Sequence, residues 1–429
     1  MDVAKIIADL ANCPCGREHT APPMRVEIGE GFLAKTAELL YDFPRNVLVV
    51  ADKNTLNAAE GILDVLKSGG FECTVKCYEN MRTADIKEVE EIEVLAQGCD
   101  GVLSVGTGSL NDICRLASFN AGKKFAIFAT APSMDGFAAN AAPITFNNFK
   151  KSVLCHAPMV IIGDTRILAA APVELKAAGF GDMIAKYIAM ADWRIAHLTD
   201  GEYYCPRVAA LTKAGLEKIM HVAGDVQNNN PQAAAVIMEG LVLSGLAMTL
   251  TNLTRPASGA EHVVAHFWEI KKLEKGLPSD FHGKKVGVAT ILIASMYHLL
   301  TKRQNMTFTQ EVVDWDEVYS VYGVNFAEDV KKMNNPAPTA KMDPATLTRQ
   351  WKEIRQIVHE EIPPLGELIE LMQKVGATTN IEDIDISPVE NDTALRYHAF
   401  MRERINLTRL IPMMGELRPW VLLTGNEEM

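Results

Sequence analysis

Between Asn46 and Ala129 short β-branched runs alternate with stretches of helical period, and this alternation narrows the fold more than any other feature. Asn46 to Ala51 (NVLVVA), Phe71 to Cys77, Gly101 to Val105 and Lys124 to Ala129 read as strands. Thr55 to Ser68, ended by Gly69-Gly70, Thr83 to Gln97 and Leu110 to Phe119 read as helices. Strands separated by whole helices cannot pair through tight hairpins, so the spacing predicts a parallel sheet with crossover helices. After about Pro172 the alternation stops. Long alanine- and leucine-rich segments follow: Ala178 to Leu198, Val208 to Ala223, Gln232 to Leu250, Ala260 to Lys275 and Lys285 to Lys302. The expected class is α/β plus all-α, with a parallel-sheet domain over 1–171 and a helical domain over 172–429. Met333 to Pro344 reads as a loop, and a helical extension begins at about 345, with helices at Thr346 to Glu361 and Asp392 to Arg404.

Composition removes several classes of function. With 48% hydrophobic and 22% charged residues over 429 positions, the chain is a folded one and long enough for two large domains. A formal charge of -12 gives phosphate backbones and anionic lipid no general attraction, so neither nucleic acid nor a membrane surface is an expected partner. Met1 to Leu10 carries Asp2 and Asp9 and no apolar signal-like run. The most apolar window, Ala233 to Leu250, is interrupted by Glu239 and reads as a core helix, not a membrane span. Eight cysteines scattered from Cys13 to Cys205 do not form a disulfide-framework pattern, which points to a reducing cytoplasm.

The third predicted strand runs into Gly106-Thr107-Gly108-Ser109-Leu110-Asn111-Asp112 and then a helix. Strand, glycine turn and helix N-terminus make an anion cradle, because backbone N–H groups and the helix dipole face a phosphate there. The GxGxxN pattern lacks the third glycine of a Rossmann fingerprint, and an ordinary tight turn is the competing reading. Asp52, in Ala51-Asp52-Lys53-Asn54 at the end of the first strand, could accept from a ribose hydroxyl or simply cap the next helix. Because it precedes the glycine turn, a nucleotide site here requires a topology related to, but different from, the Rossmann order.

In the helical half, Asp182 lies on an apolar alanine-rich segment with Lys186 one turn on, as a metal ligand or one end of a buried ion pair. His262 and His266 share a helix face one turn apart, and His282 opens a later helix. Val263 stands where a zinc peptidase of the HExxH type needs its glutamate, so that mechanism fails. Asp182, His262 and His282 offer three N/O donors, suited to a catalytic divalent ion with a position left open, although satisfied structural histidines are the plainer alternative. At the N-terminus, Cys13-Pro14-Cys15-Gly16 with His19 looks like part of a metal knuckle. Three donors with no obvious fourth fall short of a closed zinc site, so thiols in a turn are expected.

The segments ADKN, VGTGSLND, TAPSMDGFAA (Thr130 to Ala139), GFGDMIAKYIAMADWRIA, SGAEHVVAH and FHGKKVG, in this order, resemble the iron-containing alcohol dehydrogenase, glycerol dehydrogenase and dehydroquinate synthase superfamily, and within it the sn-glycerol-1-phosphate dehydrogenases. The likeness spans roughly residues 25 to 330. It implies a dehydroquinate synthase-like fold, with a nicotinamide-dinucleotide domain and a helical metal domain. On that likeness Asp182, His262 and His282 hold the metal, which is Zn²⁺, Ni²⁺ or Fe²⁺. Gly106, Gly108, Ser109 and Asp112 serve the pyrophosphate of NAD or NADP, Asp52 the adenosine ribose, and Thr130 and Ser133 the nicotinamide end. Asp135 touches substrate hydroxyls, and His266 supports the ligands or carries a proton. The implied reaction reduces dihydroxyacetone phosphate to sn-glycerol 1-phosphate in a cytoplasmic homodimer, with Lys186, Lys284, Lys285 and Arg255 as candidate cations for the substrate phosphate. A glycerol dehydrogenase-like polyol enzyme, a dehydroquinate synthase-like lyase and a catalytically silent nucleotide binder are the alternatives. The region after about residue 345 is longer than in compact glycerol dehydrogenases, so its role is not inherited from them.

Overall fold

The structure, a computed structural model, describes residues 1–146 and 149–415. Two compact units are present, one formed by residues 1–183, 206–254 and 374–377, the other by 184–205, 255–373 and the chain from Thr378 on. The sequence reading draws a single cut between 171 and 172. By packing, the helices Val173–Ile184, Pro206–His221 and Pro231–Thr251 go with the sheet.

The first unit is built on six parallel strands: β1 (Arg25–Gly29), β2 (Asn46–Asp52), β3 (Glu72–Tyr78), β4 (Gly101–Gly106), β5 (Lys124–Ala129) and β8 (Val160–Asp164), ordered β1-β8-β5-β4-β2-β3. A two-stranded antiparallel ribbon, β6 (Ala141–Phe146) and β7 (Phe149–Leu154), stands apart from that sheet. Every residue of β4 and β8 is buried, as expected of strands covered on both faces, whereas β3 lies at the edge and is half exposed. β8 escaped the sequence reading because a hairpin, not a helix, precedes it, and β1 because its five residues include Arg25 and Glu27. The expected helix from Thr55 is two, Lys53–Ala58 and Ile62–Ser68, interrupted at Gly61. The segment from Ala178 to Leu198 is likewise two, Val173–Ile184 and Lys186–Asp200, meeting at Ala185, where the two units also meet in sequence.

The segment after β5 is wedged between two helices that lack side chains where it passes. A Cβ on Gly179 would sit 1.9 Å from the carbonyl oxygen of Pro132, and one on Gly245 would sit 2.6 Å from that of Asp135. From the sheet side the fully buried Arg115 donates to the carbonyls of Ala141, Gly136 and Phe137. The 3₁₀ turn Asp135–Ala138 is therefore gripped from two directions. The Pro231–Thr251 helix, long and apolar enough to cross a membrane by length and composition, is mostly buried inside this unit, in keeping with its reading as a core helix.

In the second unit Asp192 is the hub. Its fully buried carboxylate accepts from Ala260 N at 2.8 Å, Tyr297 Oη at 2.7 Å and Leu407 N at 3.1 Å. It thereby joins the helices Lys186–Asp200, Ala260–Glu274 and His282–Thr301 to the turn beginning at Leu407. Burial pushes its pKa up to about 6 against the lowering pull of the Tyr297 hydroxyl.

Replacing Gly179 by alanine forces a methyl group into a backbone carbonyl. Urea unfolding should show a loss of about 1–3 kcal/mol, while an alanine at exposed Gly366, which meets nothing within 4 Å, should leave the midpoint nearly unchanged.

Candidate active site

In the first unit β4 delivers Gly106 directly to the helix Gly108–Asn120. Thr107 is the N-cap and makes no side-chain cap, so the first-turn N–H groups and the positive helix end are available to an anion. The loop thus has the form expected of a pyrophosphate cradle, offered through its backbone. The Ser109 hydroxyl donates to the Arg82 carbonyl at 3.0 Å. Asp52, at the end of β2, does cap the next helix. Its Oδ1 accepts from Thr55 N at 2.8 Å and its Oδ2 from Met81 N at 3.1 Å, which leaves each oxygen a further lone pair. Neighbouring Lys53 pairs with Glu79 at 2.7 Å, keeping the local balance acidic.

Asp112, one turn into the glycine-loop helix, is buried, and burial pushes its carboxyl up to about 7. The nearby Arg115 charge pulls it down and Asp135 pushes it up. Thr130 N donates to Gly106 O at 3.1 Å, so Thr130 and, three residues on, buried Ser133 continue from the floor of the loop. Asp135 joins two further acid contacts: its N–H donates to Asp182 Oδ2 at 2.9 Å, and its own Oδ2 accepts from the buried Ser244 hydroxyl at 2.9 Å. Asp182 is fully buried, and Ser244 is a residue the sequence did not single out.

In the second unit three imidazoles cluster. The His262 ring lies 5.3 Å from that of His282 and 6.1 Å from that of His266, and His266 lies 5.7 Å from His282. Ligand nitrogens of His262 and His282 come within 4.8 Å of each other. Nδ1 of buried His262 faces Glu261 Oε1 at 2.6 Å. A carboxylate only accepts, so Nδ1 holds the proton and Nε2 presents a lone pair. His266 is fixed the other way. Arg402 has only protons to give, and its Nη2 lies 3.2 Å from His266 Nδ1, which places the proton of the neutral ring on Nε2. The donor chemistry therefore fits a divalent ion at His262 and His282, with His266 presenting an N–H beside them.

Glu261, Arg402 and Arg404 were not found from sequence. Arg404 donates to Ser258 Oγ at 2.9 Å, and burial next to Arg255 and Arg402 pulls its pKa down to about 9. Of the cations weighed for a phosphate, Arg255 is held by Glu202, with Nε to Oε1 at 2.7 Å, and Lys284 by Asp280 at 2.8 Å. Lys285 is buried with Glu269 3.4 Å away. Lys186 is fully buried.

Residues 27–172 match the family model described as iron-containing alcohol dehydrogenase. The glycerol-1-phosphate dehydrogenase [NAD(P)+] of Halalkalibacterium halodurans is 30% identical over 405 residues, covering 92% of this chain and 94% of its own. That of Geobacillus stearothermophilus is 30% identical over 426 residues, covering 96% and 98%. The chain belongs to the glycerol-1-phosphate dehydrogenase family. Among solved structures, a probable glycerol dehydrogenase from Sinorhizobium meliloti 1021 shares the fold, with a TM-score of 0.62 at 17% identity, covering 95% of this chain and 96% of that one. The sequence resemblance and the expected architecture, a parallel sheet with a helical C-terminal part, are both borne out.

For this glycerol-1-phosphate dehydrogenase family member, Asp112 gives a pH test. Its folded pKa of about 7 lies above the ordinary 3.8, so the folded state holds a proton that the unfolded chain releases between those values. The associated stability is complete below about pH 4 and is lost as pH rises to about 7. Asp112→Asn should therefore match wild type in thermal unfolding near pH 4 and exceed it near pH 8. An equal difference at both values would contradict the assignment.

Proposed function

We propose that this NAD(P)-linked oxidoreductase interconverts dihydroxyacetone phosphate and sn-glycerol 1-phosphate by hydride transfer at C2, with one divalent ion held by Asp182, His262 and His282. The observation that carries the reading is the buried imidazole pair, with Glu261 fixing the tautomer of His262, in a chain 30% identical to glycerol-1-phosphate dehydrogenases over nearly its whole length. Two imidazoles and one carboxylate accept Zn²⁺, Ni²⁺ or Fe²⁺ and leave a position for substrate. When bound, the ion supplies Lewis acidity at the C2 oxygen and the dinucleotide supplies or takes the hydride.

The chain's own residues do the rest. Glu261 keeps the His262 Nε2 lone pair directed outward. His266 offers its Nε2–H as a hydrogen-bond donor to the C2 oxygen, and the proton gained there on reduction comes from solvent and returns to it on oxidation. Asp135, steadied by Ser244, orients a terminal hydroxyl. Arg402 and Arg404, from the C-terminal extension, hold the substrate phosphate, where a dianion relieves the crowding of buried guanidinium groups. Gly106, Gly108, Ser109 and Asp112 receive the pyrophosphate, Thr130 and Ser133 the nicotinamide end, and Asp52 the ribose. That carboxylate would repel a 2′-phosphate, which favours NAD over NADP. Residues 1–171 form the cofactor part and 172–429 the metal and substrate part. The enzyme works in the cytoplasm as a homodimer, a reading supported for the compartment by the absence of disulfides among the described residues.

The test is NADH consumption by purified enzyme with dihydroxyacetone phosphate and with dihydroxyacetone. The phosphorylated ketone should be reduced with a much higher kcat/KM, and Arg404→Ala should raise its KM by about 10- to 100-fold with a smaller change in kcat. Equal use of both ketones would establish the polyol reading, and consumption of NADH with neither would favour the lyase.

A further inference from the structure

We propose a second metal site, a structural zinc ion held by Cys13, Cys15, His19 and Cys205, with no part in hydride transfer. It starts from a histidine whose tautomer is fixed. His19 is buried, and its Nδ1 lies 3.0 Å from the carbonyl oxygen of Leu250. A carbonyl only accepts, so Nδ1 carries the proton and Nε2 keeps its lone pair. That lone pair faces a thiol, with Cys15 Sγ 3.2 Å away, and the ligand atoms of Cys13, Cys15 and His19 all lie within 4.8 Å of one another. A ring nitrogen anchored on a backbone carbonyl, with the other nitrogen among thiols, is the arrangement that orients a zinc-ligating histidine.

A closed site needs a fourth donor, and none is near in sequence. The fold brings the right part of the chain up. Arg207, in the helix Pro206–His221, donates Nη1 to the Asp9 carbonyl at 3.2 Å, at the end of the N-terminal helix Val3–Leu10. Cys13 N in turn bonds Leu10 O at 3.1 Å, which ties the cysteine turn to that same helix end. Buried Cys205 directly precedes Pro206 and supplies the fourth donor. Three thiolates and one imidazole make a Cys₃His set of the kind that holds zinc permanently, with no open position for substrate. On binding, the three thiols release their protons to solvent and no electrons move. The ion would fasten the segment after the N-terminal helix to Cys205, at the entry to the helix Pro206–His221, while His19 Nδ1 ties the same segment to Leu250.

The donors separate this site from the catalytic one, which contains no sulfur. Enzyme purified under reducing conditions and reconstituted with Co²⁺ should bind about two equivalents per chain and show the near-ultraviolet thiolate-to-cobalt charge-transfer band. His262→Ala should keep that band. Cys205→Ser and the Cys13→Ser/Cys15→Ser pair should lose it together with about one metal equivalent. X-ray absorption of the zinc-loaded wild type, which averages over both sites, should show sulfur neighbours at about one and a half per zinc, a reading that does not depend on any variant folding. A wild-type enzyme without the band or without sulfur neighbours would overturn the proposal, and so would a full-strength band in Cys205→Ser.

Discussion

The 2.6 Å contact between Glu261 and Nδ1 of His262 is the interaction on which the chemistry of the helical unit rests. It commits one nitrogen of a buried ring as a donor and so leaves the other with its lone pair. The same carboxylate accepts from Gly259 N at 2.8 Å, so the residue that orients the imidazole also closes the N-terminus of the helix bearing it. Asp192 holds the next backbone N–H, that of Ala260, at 2.8 Å. Two acids at a helix N-terminus are favoured by its dipole, and they leave His262 no freedom to rotate with a fraying first turn. His266, one turn on, is set in the opposite tautomer by Arg402, so adjacent imidazoles on one face present different groups, a lone pair at His262 Nε2 and an N–H at His266 Nε2.

The sheet unit applies the same economy to backbone. The Asp135–Ala138 turn is a single 3₁₀ turn with little stability of its own, and it carries the buried acid Asp135. Arg115 satisfies three of the carbonyls around it, Gly245 lets the long helix pass against it, and Asp182 accepts its first N–H. Each of these partners is buried, so the turn is held by groups that gain nothing by letting go.

How much of this could be read from the sequence depended on whether a residue's role is local. β2, β4 and β5 were legible because strands covered on both faces read as unbroken apolar runs. β1 was not, because Arg25 and Glu27 obscure a five-residue strand. His262 and His266 followed from helical spacing and Asp182 from an acid on an apolar helix. Glu261 was invisible because its function is a rotamer choice, and Arg402 because 136 positions separate it from the histidine it fixes. Asp52 shows the reverse limit: both of its candidate roles were read, and the structure realises the capping one in hydrogen bonds that leave lone pairs for the other.

The central claim is that a divalent ion, held by one carboxylate and two imidazoles, would polarise the C2 carbonyl and so make its carbon ready to accept hydride. Its most direct measurement compares enzyme stripped of all metal with the same enzyme after a divalent ion is returned, following NADH binding by fluorescence and dihydroxyacetone phosphate reduction by absorbance. Stripped enzyme should still bind NADH and reduce almost nothing, and returning the ion should restore turnover. A metal-free enzyme that reduces its substrate at full rate would contradict the account.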